Sequence, residues 1–442
     1  MPRASATTEL VTSIEGMGIP LSPAYRPSVL WQDTSTPHPV AVTELPTEAD
    51  VVVVGGGYCG LAAGLELTRR NRRPVVLDAH DLGWGASTRN GGMVLPELKL
   101  SPRRLESRFG PLGPRLHGEV EAAFDHVEKV IAEGSIDCAY ERSGQLYLTH
   151  SSRGAGHLDH LAQELAALGS PAHVVRGEAL ETEIGSTMFA AGLVAERSGG
   201  LHPARFHAGL VRLADAAGVS LQASTPATAV RRVGDRWRVS TPRGEVRADH
   251  VLVATNAYAD ALVPALHRRV LPMGSFIIAT EPLPADLAHA VLPTGRMCFN
   301  DRNLLWYWRL DDEGRMVFGG RKRLGAVQVD EARDYLYRSM LAVHPQLEGV
   351  AVERAWGGQV ALTVDRLPHC GRIDGLWYAT GCNGSGVALN TWLGHRMAAA
   401  IDGEPLPAFA ELRHRPVPLH ALRAAWLPVL SAWFRFQDRR AG

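Results

Sequence analysis

The sequence predicts an α/β fold in which a parallel-sheet nucleotide domain carries an inserted, antiparallel β-sheet domain. Two stretches of the 442-residue chain carry that prediction. In the first, the run Val51–Val54 leads straight into Gly55, Gly57 and Gly60 at G-x-G-x-x-G spacing. In the second, from Val270 onward, the β signals thicken: LPMGSFIIATEPL, then LLWYWRL at 304–310, then RMVFGGRKR at 315–323.

The four valines make a short, continuously apolar run, the pattern of a strand buried on both faces of a parallel sheet. Of the glycines, the first makes the tight turn, the second admits a pyrophosphate against the backbone, and the third lets the next helix pack on the strand. That helix, predicted over 61–70, directs free N–H groups and its dipole at the phosphates. A second strand, 74–77, ends at Asp78. This carboxylate lies about twenty residues beyond the glycines, where an acidic residue accepts hydrogen bonds from a ribose 2′-OH. It would repel a 2′-phosphate, so this Rossmann-like unit suits FAD or NAD and disfavours NADP.

Lys+Arg and Asp+Glu both number 46, so no global field draws the protein to nucleic acid or to an anionic membrane. No apolar run approaches the roughly 20 residues that span a bilayer. The N-terminal MPRASATTELVTSIEGMGIP lacks an apolar core followed by a cleavage site, and a cytoplasmic location is expected. Five scattered cysteines without C-x-x-C spacing (Cys59, Cys138, Cys298, Cys370, Cys382) argue against a disulfide framework and against a metal site. Residues 1–48, rich in Pro, Ser and Thr, read as an extended arm tied down by Tyr25 and Trp31, with disorder as the alternative.

After Asp78 the loop GWGASTRNGG (83–92) has neither helical nor strand period and leaves the sheet beside the expected pyrophosphate. Residues 104–133 read mainly as helix, 145–149 as strand, 157–168 as helix and 190–195 as strand. This region carries no phosphate motif and is assigned to the inserted domain. Phe206, Leu210 and Leu213 recur at helical steps within a helix predicted over 203–217. Short strands at 219–221, 228–233, 237–240 and 246–247 lead to an apolar strand at 249–256, expected to return to the nucleotide sheet and close its edge. Trp306, Tyr307 and Trp308 must alternate faces, so one face packs and the other looks into a cavity, although aromatics in strands also serve packing alone. Finally, a strand ending near Thr380 runs into a glycine loop and a helix over 388–401, a second helix N-terminus preceded by bare backbone.

Together these pieces resemble the FAD-dependent oxidoreductase superfamily of D-amino acid oxidase, glycine oxidase and sarcosine oxidase, and within it most the γ-glutamylputrescine oxidase branch. The matching stretches are VVVVGGGYCGLAAGLEL, GWGASTRNGG, VLPMGSFIIATEPLP, LWYWRL, MVFGG, WGGQVALTVDRLPHCG and GCNGSGVALNTWLG. The resemblance implies an FAD-binding domain built from 49–105, 200–268 and 350–402, a substrate-binding domain from 106–199 and 269–349, and a C-terminal helical tail over 403–442. It implies that Gly55, Gly57 and Gly60 hold the pyrophosphate and Asp78 the ribose. Ser87, Arg89, Asn90, Gly91 and Gly92 would run along the pyrophosphate and isoalloxazine, Ala227 would meet adenine, and Gly384, Ser385, Gly386 and Val387 would surround the flavin's pyrimidine end. Asp78 stands where the family most often has Glu, Thr88 where its loop has a glycine, and Met93 where a polar residue is frequent. Sarcosine oxidases attach FAD through a cysteine, but neither Cys370 nor Cys382 sits in the matching local sequence, so FAD is expected to be non-covalent.

The implied activity is oxidation of an amine or amino acid. Hydride passes from the C–H beside nitrogen to flavin N5, the resulting imine hydrolyses, and O2 reoxidises the flavin with release of H2O2. An FAD-dependent dehydrogenase acting on an amine-containing biosynthetic intermediate, with an acceptor other than O2, is the alternative; a non-catalytic nucleotide scaffold is a third. Tyr307 and Trp308 are expected as cavity wall and Arg302, or else Arg309 or Arg321, as a carboxylate clamp, because arginine binds carboxylates bidentately. His202 and His369 read as structural.

Overall fold

In the computed structural model, which describes residues 18–259 and 262–441, the chain forms two large sheets. The elements that position the site begin with β1 (Leu21–Arg26), β2 (Glu48–Val54), α1 (Tyr58–Arg69), β3 (Pro74–Leu77), α2 (Pro203–Ala216) and β4 (Gly244–Val253). They continue with β5 (Leu271–Pro282), β6 (Trp306–Leu310), β7 (Arg315–Gly320), α3 (Val329–Val343), β8 (Val352–Leu362), β9 (Leu376–Thr380), α4 (Gly386–Ile401) and α5 (Arg423–Ala441).

The valine run lies in β2, between β3 and β4 and parallel to both, with Val52 opposite Val75 on one side and Val251 on the other. Both faces of this strand are covered, which is why the sequence there is apolar without alternation. The parallel pairing extends through β3 to Ser220–Gln222. The strand expected at 249–256 proves to be the second half of β4. It does not close an edge. On the side away from β2, the first half of β4 pairs with Arg236–Thr241 and its last residues pair with β9, so β4 lies inside the sheet. α1 begins at Tyr58, three residues earlier than its apolar pattern suggests, because Gly57 already adopts the extended N-cap conformation.

The larger sheet has the spatial order β1, β8, β5, β7, β6, followed by Met297–Asn300, Gln145–Thr149, Ala191–Ala195 and Ala172–Val175. It is antiparallel except where β1 meets β8 and where Met297–Asn300 meets Gln145–Thr149. β8, expected in the nucleotide domain, is hydrogen-bonded along β5 and belongs to this larger sheet. β1, within the expected arm, forms the sheet's edge; residues 1–17 of that arm lie outside the described residues. Trp31 is buried, and its indole N–H donates to the Asn90 carbonyl at 2.8 Å. Among the described residues no helix is long and apolar enough to cross a membrane, and no group of three or more His, Cys, Asp or Glu could hold a metal.

Candidate active site

Between β2 and α1 the chain turns at Gly55, whose φ of +111° favours glycine. A Cβ at Gly60 would lie 1.8 Å from the Gly55 carbonyl oxygen, so helix and strand meet there backbone to backbone. The Gly56 peptide between them is gripped at both ends. Its N–H donates to Asp78 Oδ2 at 2.8 Å, and its carbonyl lies 2.9 Å from Nε2 of His207 on α2. Burial raises the Asp78 carboxyl above its ordinary pKa, opposed by the backbone donors of His80 and Gly56. Desolvation pushes His207 down to about 4, so the ring is neutral at pH 7 and carries its proton on the nitrogen facing Gly56.

The loop after Asp78 is fixed by long-range bonds. Three successive carbonyls each receive a side-chain donor: Arg89 from Trp356 Nε1 at 2.9 Å, Asn90 from Trp31 Nε1 at 2.8 Å, and Gly91 from Arg309 Nε at 2.8 Å. Ser87 Oγ accepts from the Tyr58 N–H at 3.1 Å, linking this loop to the first turn of α1. Thr88, the departure from the usual small residue, is buried; its hydroxyl donates to the Gly83 carbonyl and accepts from Gln32 Nε2 at 2.7 Å. The residue therefore closes the loop upon itself.

The second glycine loop follows β9. Positive φ at Gly381, Asn383 and Gly384 turns the chain back, and Asn256 Oδ1 accepts from the Gly381 N–H at 3.0 Å. Ser385 stands immediately before α4 with its hydroxyl buried and without a hydrogen-bond partner.

Both glycine loops open on one cavity of about 620 Å³. Every residue expected to hold the cofactor lines it except Gly60 and Gly92. Gly60 serves the helix–strand contact, and a Cβ at Gly92 would fall 2.1 Å from the Leu201 carbonyl oxygen, so both are glycine for packing. The donor set fits FAD. Two long helices begin at the cavity wall after bare glycine backbone, and the buried hydroxyls of Thr255 and Ser385, both without hydrogen-bond partners, line it. Asn256, Tyr258 and the Glu97–Lys99 pair, 3.0 Å apart, also line the cavity. No local pattern announces them, because only the long-range fold brings them there.

On the side of the larger sheet, Tyr307 lines the cavity with its hydroxyl 3.1 Å from Ser275 Oγ. Gly319 on β7 leaves room for the ring: a Cβ there would lie 2.2 Å from Tyr307 Cζ. Trp308 does not share this wall. It points the other way with Trp306, into the core beneath α3, where it stacks on Phe318 at 5.4 Å. Arg302 is likewise not at the cavity: its guanidinium lies 4.3 Å from the Trp306 ring centroid and donates to His150 Nε2 at 3.2 Å. Arg309 is spent on the carbonyls of Gly91 and Leu201. Arg321, just beyond β7, does line the cavity. Burial lowers its pKa from the ordinary value, its Nε has no hydrogen-bond partner, and among the described residues no carboxylate pairs with it. Cys382 lines the cavity and accepts from Asn256 Nδ2 at 3.4 Å, whereas Cys370 is packed in the core. His202 caps α2 by accepting from the Arg205 N–H at 3.2 Å, and His369 pairs with Asp365 at 3.0 Å.

Residues 50–400 match the family model described as DAO, FAD dependent oxidoreductase. The chain is 31% identical over 407 residues to gamma-glutamylputrescine oxidoreductase of Escherichia coli (strain K12), covering 88% of this chain and 93% of that one. It is 30% identical over 430 residues to the probable oxidoreductase OrdL of Rhizobium meliloti (strain 1021), covering 95% and 99%. In fold it is similar to the crystal structure of glycine oxidase from Geobacillus kaustophilus, with a TM-score of 0.72 at 22% identity over 84% of this chain and 100% of that one. With the two glycine loops joined on one cavity, these matches show that the chain belongs to the DAO family of FAD-dependent oxidoreductases.

Proposed function

We propose that this chain is an oxidase of a carboxylate-bearing amine or amino acid, with dioxygen as electron acceptor. The observation that carries the reading is Arg321, a desolvated guanidinium without a carboxylate partner, in the cavity that the two glycine loops share. The names of the relatives, gamma-glutamylputrescine oxidoreductase and glycine oxidase, denote nitrogen-bearing substrates and support it.

Bound FAD would supply the two-electron acceptor for hydride from the C–H beside the substrate nitrogen, with O2 as the final acceptor and H2O2 as its product. The chain's own residues bind and orient. Gly55 and Gly57 would hold the pyrophosphate, Asp78 the ribose hydroxyls and Ala227 the adenine, without a covalent link to protein. Ser385 and the N-terminus of α4 offer donors and a positive dipole end to the flavin's pyrimidine edge. Arg321 binds the substrate carboxylate bidentately, a contact strengthened by its desolvated setting. Tyr307, held by Ser275, forms the wall that fixes the substrate's angle of approach. Water entering after oxidation hydrolyses the imine.

The test is an anaerobic absorbance scan of the purified protein against primary amines, N-methyl amino acids and D- and L-amino acids, followed by air. Bleaching of the flavin band by carboxylate-bearing members, with recovery in air and peroxide formed, is expected. Bleaching without peroxide moves the reading to a dehydrogenase; no bleaching by any member defeats it. Acid denaturation should release the yellow colour into the supernatant, and colour retained by the protein would show a covalent link.

A further inference from the structure

We infer that the exposed face of α5 docks on an anionic lipid bilayer. α5 spends one face on the body of the protein. Leu427, Leu430 and Phe434 pack with Met273, Leu304 and Leu324, and Asp438 accepts from the backbone N–H groups of Asn303 and Leu304 at 2.8 and 3.1 Å. The opposite face is apolar as well. Val429, Trp433 and Phe436 are 71%, 53% and 47% exposed, and their steps of four and three residues set them in one stripe. Trp433 and Phe436 stack on each other at 5.8 Å in the open. Folding accounts for the first stripe and leaves the second unexplained.

Charge selects the occupant. The segment 413–442 holds six arginines (Arg413, Arg415, Arg423, Arg435, Arg439, Arg440) against one acid, Asp438, in a chain whose totals balance at 46 each. That one acid is buried under the helix. Arg435 and Arg440 are exposed on either side of Phe436 in sequence, and the Arg440 guanidinium lies 5.0 Å from the Phe436 ring centroid. An apolar stripe of aromatic and branched side chains edged by arginines suits an interface where the rings enter the acyl boundary and the guanidinium groups meet lipid phosphates. A second copy fits poorly: two-fold pairing of this face would set the same arginines against each other, with no exposed acid on the segment to answer them.

Flotation of the full-length purified protein tests this, using vesicles of phosphatidylcholine with phosphatidylglycerol and vesicles of phosphatidylcholine alone. The protein is expected to float with the anionic vesicles at low salt and at least about tenfold less with neutral vesicles or at high salt. Trp433→Asp/Phe436→Asp and, separately, Arg435→Glu/Arg440→Glu are each expected to lower flotation by about tenfold or more, with thermal unfolding and flavin content unchanged. Wild-type protein that stays below the anionic vesicles overturns the proposal, as does undiminished flotation of both variants. A dimer in sedimentation that Trp433→Asp/Phe436→Asp converts to monomer, without flotation, assigns the face to a second copy instead.

Discussion

Gly394 on α4 and Cys59 on α1 meet backbone to backbone: a Cβ at Gly394 would lie 2.1 Å from the Cys59 carbonyl oxygen. This contact seats the two helices so that Gly57 and Ser385, the residues preceding them, face one cavity. Gly394→Ala is expected to push α4 away, at a cost of about 1–3 kcal/mol for overpacking, and to loosen FAD. Thermal unfolding and the flavin-to-protein absorbance ratio check this; wild-type values in both would refute it.

Asp78 Oδ2 and Oδ1 accept from the N–H groups of Gly56 and His80, at 2.8 and 3.0 Å. An amide keeps one of these acceptors and turns its NH2 toward the other N–H. Asp78→Asn should therefore cost about 1–3 kcal/mol and weaken FAD affinity roughly ten- to hundredfold. Titration of apoprotein with FAD, followed by flavin fluorescence, measures the loss. An unchanged affinity would remove Asp78 from the binding set.

The nucleotide half was legible because its signals are local. An apolar run buried on both faces, a glycine turn and a carboxylate at fixed spacing lie within about thirty residues and need no distant partner. Tyr307 and Trp308 are both expected as cavity wall, yet alternation along β6 sets them on opposite faces and does not say which one meets the cavity. The choice is made by α3, whose Leu336 and Met340 cover the tryptophan side. Arg302 misled for the same reason, since its ring partner Trp306 lies on that covered side. β8 reads as an ordinary strand, and only its ladder with β5 places it in the larger sheet. His207 and the three donors to the loop carbonyls come from segments far away in the chain, so no spacing rule finds them.

Arg321 and Arg302 separate the site from its surroundings. Arg321→Met, leaving the cofactor contacts intact, is expected to lower kcat/KM for carboxylate-bearing amines by about a hundredfold or more, because a charge-assisted bidentate contact in a desolvated wall is lost. Arg302→Met removes a guanidinium that stacks on Trp306 and should leave KM for the same substrates within about twofold. Steady-state kinetics of both variants decide the matter, and the opposite ranking would return the clamp to Arg302.

His207 gives the protein a predictable acid sensitivity. Its ordinary pKa of 6.5 is pushed down to about 4 in the fold, chiefly by burial and against the hydrogen bond to Gly56. On unfolding the ring takes up a proton near pH 6.5, whereas in the native state it stays neutral down to about pH 4. Between those values the unfolded state binds more protons. His207's contribution is thus full above about 6.5, declines as pH falls through the window, and is gone near 4. Its share of the slope is at most about 1.4 kcal/mol per pH unit. Burial also lowers His202 to about 4 and His344 to about 3, so these act with the same sign. His207→Gln keeps a donor for the Gly56 carbonyl and removes one titrating group. Urea unfolding at pH values across the window should show a stability slope shallower than wild type by about 1 kcal/mol per pH unit, with the two proteins parallel above pH 7. Parallel slopes throughout would mean that His207 is already protonated in the folded protein, and its neutral grip on Gly56 would have to be abandoned.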